Sequence, residues 1–330
     1  MSEALEIGLH AAVIAVESGT PLYLAVPGES PSGDTLDGLP FGPYRPAEHR
    51  TLDTGLRNWV EEQTRLSLGY VEQLYTFGDV GRMHGQSGGS ESFVSVGYLA
   101  LVRKPEIGAG NRSLNWSNWY AHFPWEDWRA GPPPLLTEQL MPALADWVAA
   151  SPGERANASG LDRQVRFRLA FGCELPRSGV PKIIAWDEER VLERYELMYE
   201  AGLVDEAVTD GHIARLAFSP SPGKPMLHDH RRILATAIAR LRAKLKYRPV
   251  VFELLPESFT LTELQQTVET LSGQCLHKQN FRRLVEKAEL VEPTGATASK
   301  TGGRPAAYFR FRKAVLRERP APGLRIGSRG

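Results

Sequence analysis

The stretch from Ser258 to Phe311 limits the possible folds more than any other part of the chain. Thr260 precedes Glu263 by three residues, the spacing at which a hydroxyl and a carboxylate satisfy each other's free backbone amides at a helix start. Leu261, Leu264, Val268 and Leu271 then recur at intervals of three, four and three, which is one stripe of an α-helix, and Gly273 stops it. A second helix is expected from about His277 to Ala288. It would bury Phe281, Leu284, Val285 and Ala288 and turn Gln279 and Arg283 outward, flanked by Lys278, Arg282 and Lys287. Arg and Gln on the free face of the second of two short helices suit the major groove, where Arg reads guanine and Gln reads adenine. After Leu290 and Val291 come the small polar run 294–303 with Lys300, then Arg304-Pro305 and the strand-like Ala307–Phe311. These predict a hairpin whose basic loop grips phosphate. In this order the elements predict a winged helix that holds DNA.

Taken alone, an Arg-Arg pair on a helix is most often just a solvated surface. The charge distribution argues for more. Residues 228–330 hold 20 Lys and Arg against 9 Asp and Glu, a net +11, and because the whole chain has 39 of each, residues 1–227 carry −11. An acidic body with a basic end predicts a polyanionic partner for that end.

The segment from Phe252 to Phe311 resembles the C-terminal winged helix of the Nudix-related transcriptional regulators of NAD metabolism. The likeness rests on Glu253-Leu254-Leu255-Pro256, on Phe259 through Gln265, on Lys278-Gln279-Asn280-Phe281-Arg282-Arg283 and on Gly303-Arg304-Pro305. The preceding run from His228 to Pro249 resembles the linking helix of the same family.

Near the N-terminus, Ile7–Val16, a turn at Ser18-Gly19-Thr20, and Leu22–Val26 predict a β-hairpin, and the Gly, Pro, Ser and Asp of residues 27–38 predict a loop. A helix follows with Leu52, Leu56, Trp59 and Val60 on its apolar side. With Gly42, Glu48, Arg57, Glu61 and Glu62, it resembles a Nudix box, the element whose carboxylates bind magnesium to pull on a diphosphate. The box is degenerate. Asn58 stands where the Glu paired with Arg57 belongs, Thr64 replaces the last Gly, and Gly42 and Glu48 lie one residue too far upstream of Arg57. Fewer carboxylates hold a hard divalent cation less well, so hydrolysis is not expected. Tyr70–Asp79, the Gly/Ser-rich run 81–90 and Phe93–Val102 resemble the Nudix-like sensor of those regulators, over about residues 5–105. The resemblance implies an effector of the NAD and adenine nucleotide class, NAD, ADP-ribose or ATP, contacted by Arg57, Glu61, Glu62, Tyr75, Phe77 and Arg82.

The Trp116, Trp119, Trp125 and Trp128 cluster is expected to close a core rather than clamp a base. Leu135–Ala150 reads as a helix, after a stiff run from Arg129 to Pro134. The small residues 151–160 suggest a boundary, and 151–227 an insertion that supports the sensor or a dimer contact. Within it Val165–Phe171, Val180–Trp186 and His212–Phe218 read as strands and Asp187–Ala201 as a charged helix. His228–Tyr247 reads as a long helix with Ile233, Ala237 and Leu241 on one stripe and its arginines and lysines elsewhere. His228 and His230, two apart, would point to different sides of it. From Arg317 the chain is basic and rich in Pro and Gly, as a mobile tail would be.

Two cysteines far apart and eight histidines show no metal-ligand spacing, no apolar run approaches a membrane span of about 20 residues, and the start is not a signal peptide. The expected protein is cytoplasmic. It has an α/β Nudix-like sandwich (1–150), an extension (151–227), a linking helix (228–247), a winged helix-turn-helix of α+β type (248–315) and a tail (316–330). Its expected role is that of a homodimeric repressor of NAD biosynthesis genes that binds palindromic operator DNA, with no catalytic residues, no metal and no required cofactor. The alternative is an active Nudix pyrophosphohydrolase acting on ADP-ribose or a dinucleotide, its winged helix serving protein contacts.

Overall fold

The computed structural model describes residues 5–30, 32–78, 92–105, 114–151, 160–175, 179–213, 221–298 and 306–324. Strand β1 (Leu5–Glu17) alternates between two buried faces and so runs through the middle of a six-stranded sheet. The turn to β2 (Thr20–Leu24) has Ser18 and Gly19 both at positive φ, the geometry that closes a two-residue hairpin without splaying its strands. Next come β3 (Val26–Glu29) and β4 (Thr35–Gly38), which pair with each other where the sequence predicts only a loop. Turn-forming Ser and Gly at their tip let the flanking residues pair although their composition is poor for strands. They are followed by β5 (Phe41–Pro43), α1 (Leu52–Thr64), β6 (Tyr70–Phe77), β7 (Ser92–Leu101) and β8 (Trp116–Asn118). The sheet order is β6-β7-β1-β2-β8. β5 also pairs with β1, and β1 and β7 are parallel.

α1 covers one face of the sheet, burying Leu56 and Val60 on Leu9, Ala11, Val13 and Ala15. The opposite face, with Ala12, Ile14 and Leu99, belongs to a much larger core that continues through all later parts of the chain. Trp119 and Trp125 are fully buried in it, as core closers should be. After a π-helical turn at Leu135–Leu140, α2 (Met141–Ala150) buries Leu144 and Val148, so the helix expected there is present with a widened first turn.

The stretch 151–227 differs from its expected strands. Residues 163–171 form helix α3 (Arg163–Phe171), because Asp162 caps its start by accepting from the Val165 amide at 2.7 Å and Gly172 ends it in the left-handed conformation. The Arg and apolar alternation misleads because Phe167, Ala170 and Phe171 carry the burial at helical spacing, while Arg166 lies along the surface to pair with Glu200 through two 2.6 Å bonds. In place of a strand over 180–186, only β9 (Cys173–Glu174) and β10 (Lys182–Ile183) pair. The charged helix is α4 (Val191–Glu200), followed by a short α5 (Asp205–Thr209). Most of the strand expected at 212–218 lies outside the described residues. Residues 160–175 and 179–213 thus form a mainly helical layer that packs into the same core as the sheet.

The linking helix α6 (His230–Leu245) is no free lever. It lies on the sheet face opposite α1, with Ile233, Ala237 and Leu241 wholly buried. The winged helix follows with β11 (Phe259–Thr260), α7 (Leu261–Ser272), α8 (Lys278–Ala288), β12 (Val291–Ala298) and β13 (Ala306–Phe311), its three strands in the order β11-β13-β12. The expected capping box of Thr260 and Glu263 is formed, and Gly273 ends α7 at φ 72°. α9 (Val315–Glu318) follows, and the described part of the tail docks: the Leu324 side chain is buried and its amide donates to the Leu245 carbonyl at the end of α6. A free helix-end carbonyl and an apolar side chain outweigh the mobility that composition suggests.

Candidate nucleic-acid interface and sensor domain

α8 is amphipathic. Phe281 and Val285 are buried against α7, and Lys278, Gln279, Arg282, Arg283 and Lys287 are all exposed. None of these five side chains makes a hydrogen bond or ion pair among the described residues, whereas nearby Arg310 pairs with Glu292 at 2.6 Å and Arg319 with Glu289 at 2.8 Å. The helix is also fixed at its carbonyl end. Glu289 takes the left-handed conformation, Arg319 donates to the Ala288 carbonyl at 2.9 Å and Arg312 donates to the Glu289 carbonyl at 2.8 Å. Two cations there offset the negative end of the helix dipole, leaving the other face free for a partner. The hairpin β12-β13 follows it in the chain. Its tip, including Lys300 and Arg304, lies outside the described residues.

On the N-terminal domain, Arg57 donates to Asp53 at 2.8 Å and to the carbonyls of Leu68 and Gly69, so it ties α1 to the entry of β6. Glu61 and Glu62 are exposed on α1. Glu48 pairs with Arg45 at 3.2 Å. Magnesium, which a Nudix box implies, does not fit this set well: Asn58 offers an amide where a carboxylate is needed, and Glu48 is already paired. Among the described residues there is no group of three His, Cys, Asp or Glu able to hold a metal.

The expected effector residues are not brought into one cleft. Tyr75 is 61% exposed, but Phe77 is buried in the core beneath α6, with the Arg232 guanidinium 4.9 Å from its ring. That is the sheet face opposite α1, which carries Arg57, Glu61 and Glu62. The period-two alternation of β6, broken by a bulge between Gln73 and Thr76, decides which side Phe77 takes. Arg82 lies outside the described residues.

Sequence reasoning misses a set of buried polar groups. His228 precedes α6, at φ 50°, so the i, i+2 argument does not apply and its ring lies 5.3 Å from that of His230. The Leu39 amide donates to His230 Nδ1 at 3.0 Å, and His230 Nε2 lies 2.9 Å from His10 Nδ1. Burial, and then the neighbouring His228, hold the His10 pKa down at about 3, and burial, then His10 and His228, push that of His230 well below its ordinary value. Both rings are therefore neutral linkers between sheet and helix. Arg194, Arg231 and Arg242 are also fully buried, although Arg is expected at the surface. The eleven-residue spacing of Arg231 and Arg242, three helical turns, is the one signal that could have placed them on a single face.

The family model for the NrtR DNA-binding winged helix domain matches residues 251–311. The chain is 41% identical over 83 residues to the ADPR responsive transcriptional repressor NtrR of Acinetobacter baylyi, a match covering 25% of this chain and 33% of that protein. The chain thus spans about a third of the length of the curated relative it matches. Shewanella oneidensis NrtR superposes at TM-score 0.52 with 20% identity over 98% of this chain and 97% of that one. The same protein complexed with a 27mer DNA superposes at 0.50, covering 94% and 95%. A MutT/nudix family protein from Enterococcus faecalis superposes at 0.51 with 14% identity, covering 94% and 88%. At such identities the structures speak for the fold, and the family match speaks for the C-terminal domain. Residues 251–311 therefore match the NrtR DNA-binding winged helix domain, on a chain whose overall fold is that of NrtR.

Proposed function

We propose that the protein is a transcriptional repressor that binds a palindromic operator as a homodimer and releases or tightens its hold when a nucleotide of the ADP-ribose class binds the Nudix-like domain. The observation that carries the reading is α8, with five polar or cationic side chains exposed and unpaired on a helix fixed at its carbonyl end. In this reading Arg283 and Gln279 read bases, and Lys278, Arg282, Lys287, Lys300 and Arg304 contact phosphates. One winged helix covers a short half-site, so two related by a two-fold axis match a palindrome. The ligand class comes from the Acinetobacter relative, whose name describes it as ADPR responsive. NAD synthesis or salvage genes are the proposed targets.

Hydrolysis is not part of the proposed role. Asn58 and the paired Glu48 leave Glu61 and Glu62 as an incomplete set for divalent metal. Titration of fluorescent operator DNA with and without ADP-ribose, NAD and ATP tests the proposal. Tight binding to a palindrome that one nucleotide alters by tenfold or more supports it. Weak, salt-labile binding to all DNA, together with magnesium-dependent release of AMP from ADP-ribose, would replace it with the hydrolase.

A further inference from the structure

The last four carbonyls of a helix have no partner within it. At the end of α7 the Glu269 carbonyl accepts from the Gly273 amide at 2.9 Å, and donors to the carbonyls beyond it come from outside the winged helix. Tyr120 Oη donates to the Thr270 carbonyl at 2.9 Å, Arg242 Nε to the Leu271 carbonyl at 3.0 Å, and the Trp128 amide to the Gly273 carbonyl at 2.7 Å. Just beyond, Gln274 donates to the Glu188 carboxylate at 3.2 Å. These partners belong to the Trp-rich segment, to α6 and to the helical layer that precedes it.

Behind them lies a buried charge cluster. Glu126 accepts from Arg194 through both oxygens, at 2.6 and 2.9 Å, and from Arg242 at 2.7 Å through the second of them, and all three side chains are at most 1% exposed. Two guanidiniums against one carboxylate leave one positive charge without a counter-charge. Such a charge away from water must be met by oriented dipoles. Arg194 meets the carbonyls of Ala170 and Asp187, and Arg242 meets those of Glu126, Glu188 and Leu271. The Leu271 carbonyl belongs to the negative end of the α7 dipole. Room is tight as well: a Cβ on Gly273 would stand 2.4 Å from the Glu126 carbonyl oxygen and 2.9 Å from Arg242.

We infer that Glu126, Arg194 and Arg242, with Tyr120, form a joint that needs the carbonyl end of α7 to complete it, and that this joint positions the recognition helix relative to the sensor. α8 begins five residues after Gly273, so a shift of the Trp-rich segment is carried directly to the face that meets DNA. The segment continues from β8 at the edge of the sensor sheet, and Tyr23 on β2 reaches it through a 2.7 Å bond to His122. A change in the sheet therefore has a packed route to α7, with no flexible linker between them. The positioning part of the inference rests on geometry alone. Its use in signalling rests on the repressor reading.

Hydrogen exchange on the full-length protein tests the joint without DNA or ligand. Tyr120→Phe keeps the ring and removes the hydroxyl's bonds to the Thr270 carbonyl and to Arg242, and Glu126→Gln removes the carboxylate charge. Amides of the second half of α7 and of α8 should exchange at least threefold faster in Tyr120→Phe and at least tenfold faster in Glu126→Gln, beyond any change at β1 and β7. Equal acceleration everywhere, or none, would overturn the joint. Operator titration of Tyr120→Phe then tests signalling. The ratio of operator affinities with and without ADP-ribose should fall at least threefold while ADP-ribose affinity holds, and an unchanged ratio would overturn that part. A wild-type protein indifferent to ADP-ribose would instead refute the effector class, leaving exchange to decide the joint.

Discussion

Arg231 and Arg242 stand three turns apart on one face of α6, and both guanidiniums hold the same short segment, Arg231 at the His122 carbonyl and Arg242 at that of Glu126. Each also meets a buried carboxylate, Glu206 for Arg231 at 3.1 Å and Glu126 for Arg242 at 2.7 Å. The helix that joins the N-terminal sheet to the winged helix is thus pinned at two points along its length to the Trp-rich segment.

Arg231→Leu should destabilise the protein by about 3–5 kcal/mol, because Glu206 is left buried without its cation. The double variant Arg231→Leu with Glu206→Leu should recover a large part of that loss. Urea unfolding of wild type, single and double variants measures both, and equal losses in the two variants would mean that the Arg231 contacts to carbonyls dominate.

Gly273→Ala should cost more than Gly295→Ala. Both glycines have positive φ, 72° and 82°, so each substitution pays roughly 1 kcal/mol of backbone strain. Only at Gly273 does the added Cβ also meet backbone, the Glu126 carbonyl, whereas at Gly295 none of the described residues lies within 4 Å of it. Thermal midpoints of the two variants compare them directly.

Stability should fall as the pH drops from about 6.5 toward 4. Burial lowers the pKa of His10 to about 3 and of His122 to about 4, so the unfolded chain binds protons that the folded chain refuses. Stability from these groups is complete above the unfolded value near 6.5 and is lost as pH falls toward the folded values. Each contributes a slope of up to about 1.4 kcal/mol per pH unit. Urea midpoints measured at several pH values should show the slope, and His10→Phe should reduce it.

Arg283→Ala should weaken operator binding by about 1–3 kcal/mol and relax sequence preference at one position, as loss of a base contact does. Lys287→Ala should weaken binding evenly across sequences and reduce the salt dependence by about one counterion. Anisotropy titrations at several salt concentrations separate the two. Unchanged affinity in both variants would remove α8 from the interface.

The winged helix was legible in the sequence because its signals are local. Thr260 and Glu263 cap over one turn, the stripe from Leu261 to Leu271 repeats at 3.6 residues, and Gly273 supplies the conformation that ends it. The hairpin of β1 and β2 and the helix carrying Arg57 were legible for the same reason. Residues 163–171 were not, since a run of Arg and apolar residues fits either period, and only the packing of Phe167 and Phe171 into the shared core selects the helix.

By itself the sequence determined where α7 begins and ends, which face of α8 is left polar, and that the Nudix-like box lacks a carboxylate at Asn58. Those follow from interactions between residues a few positions apart. Tertiary structure alone decided that Phe77 turns into the core, that Arg194, Arg231 and Arg242 are buried, and that the end of α7 is completed by Tyr120, Trp128 and Arg242. The physical reason is that an arginine's burial depends on which carboxylates and carbonyls come within reach. Here those partners lie up to 116 residues away along the chain, as Glu126 does from Arg242.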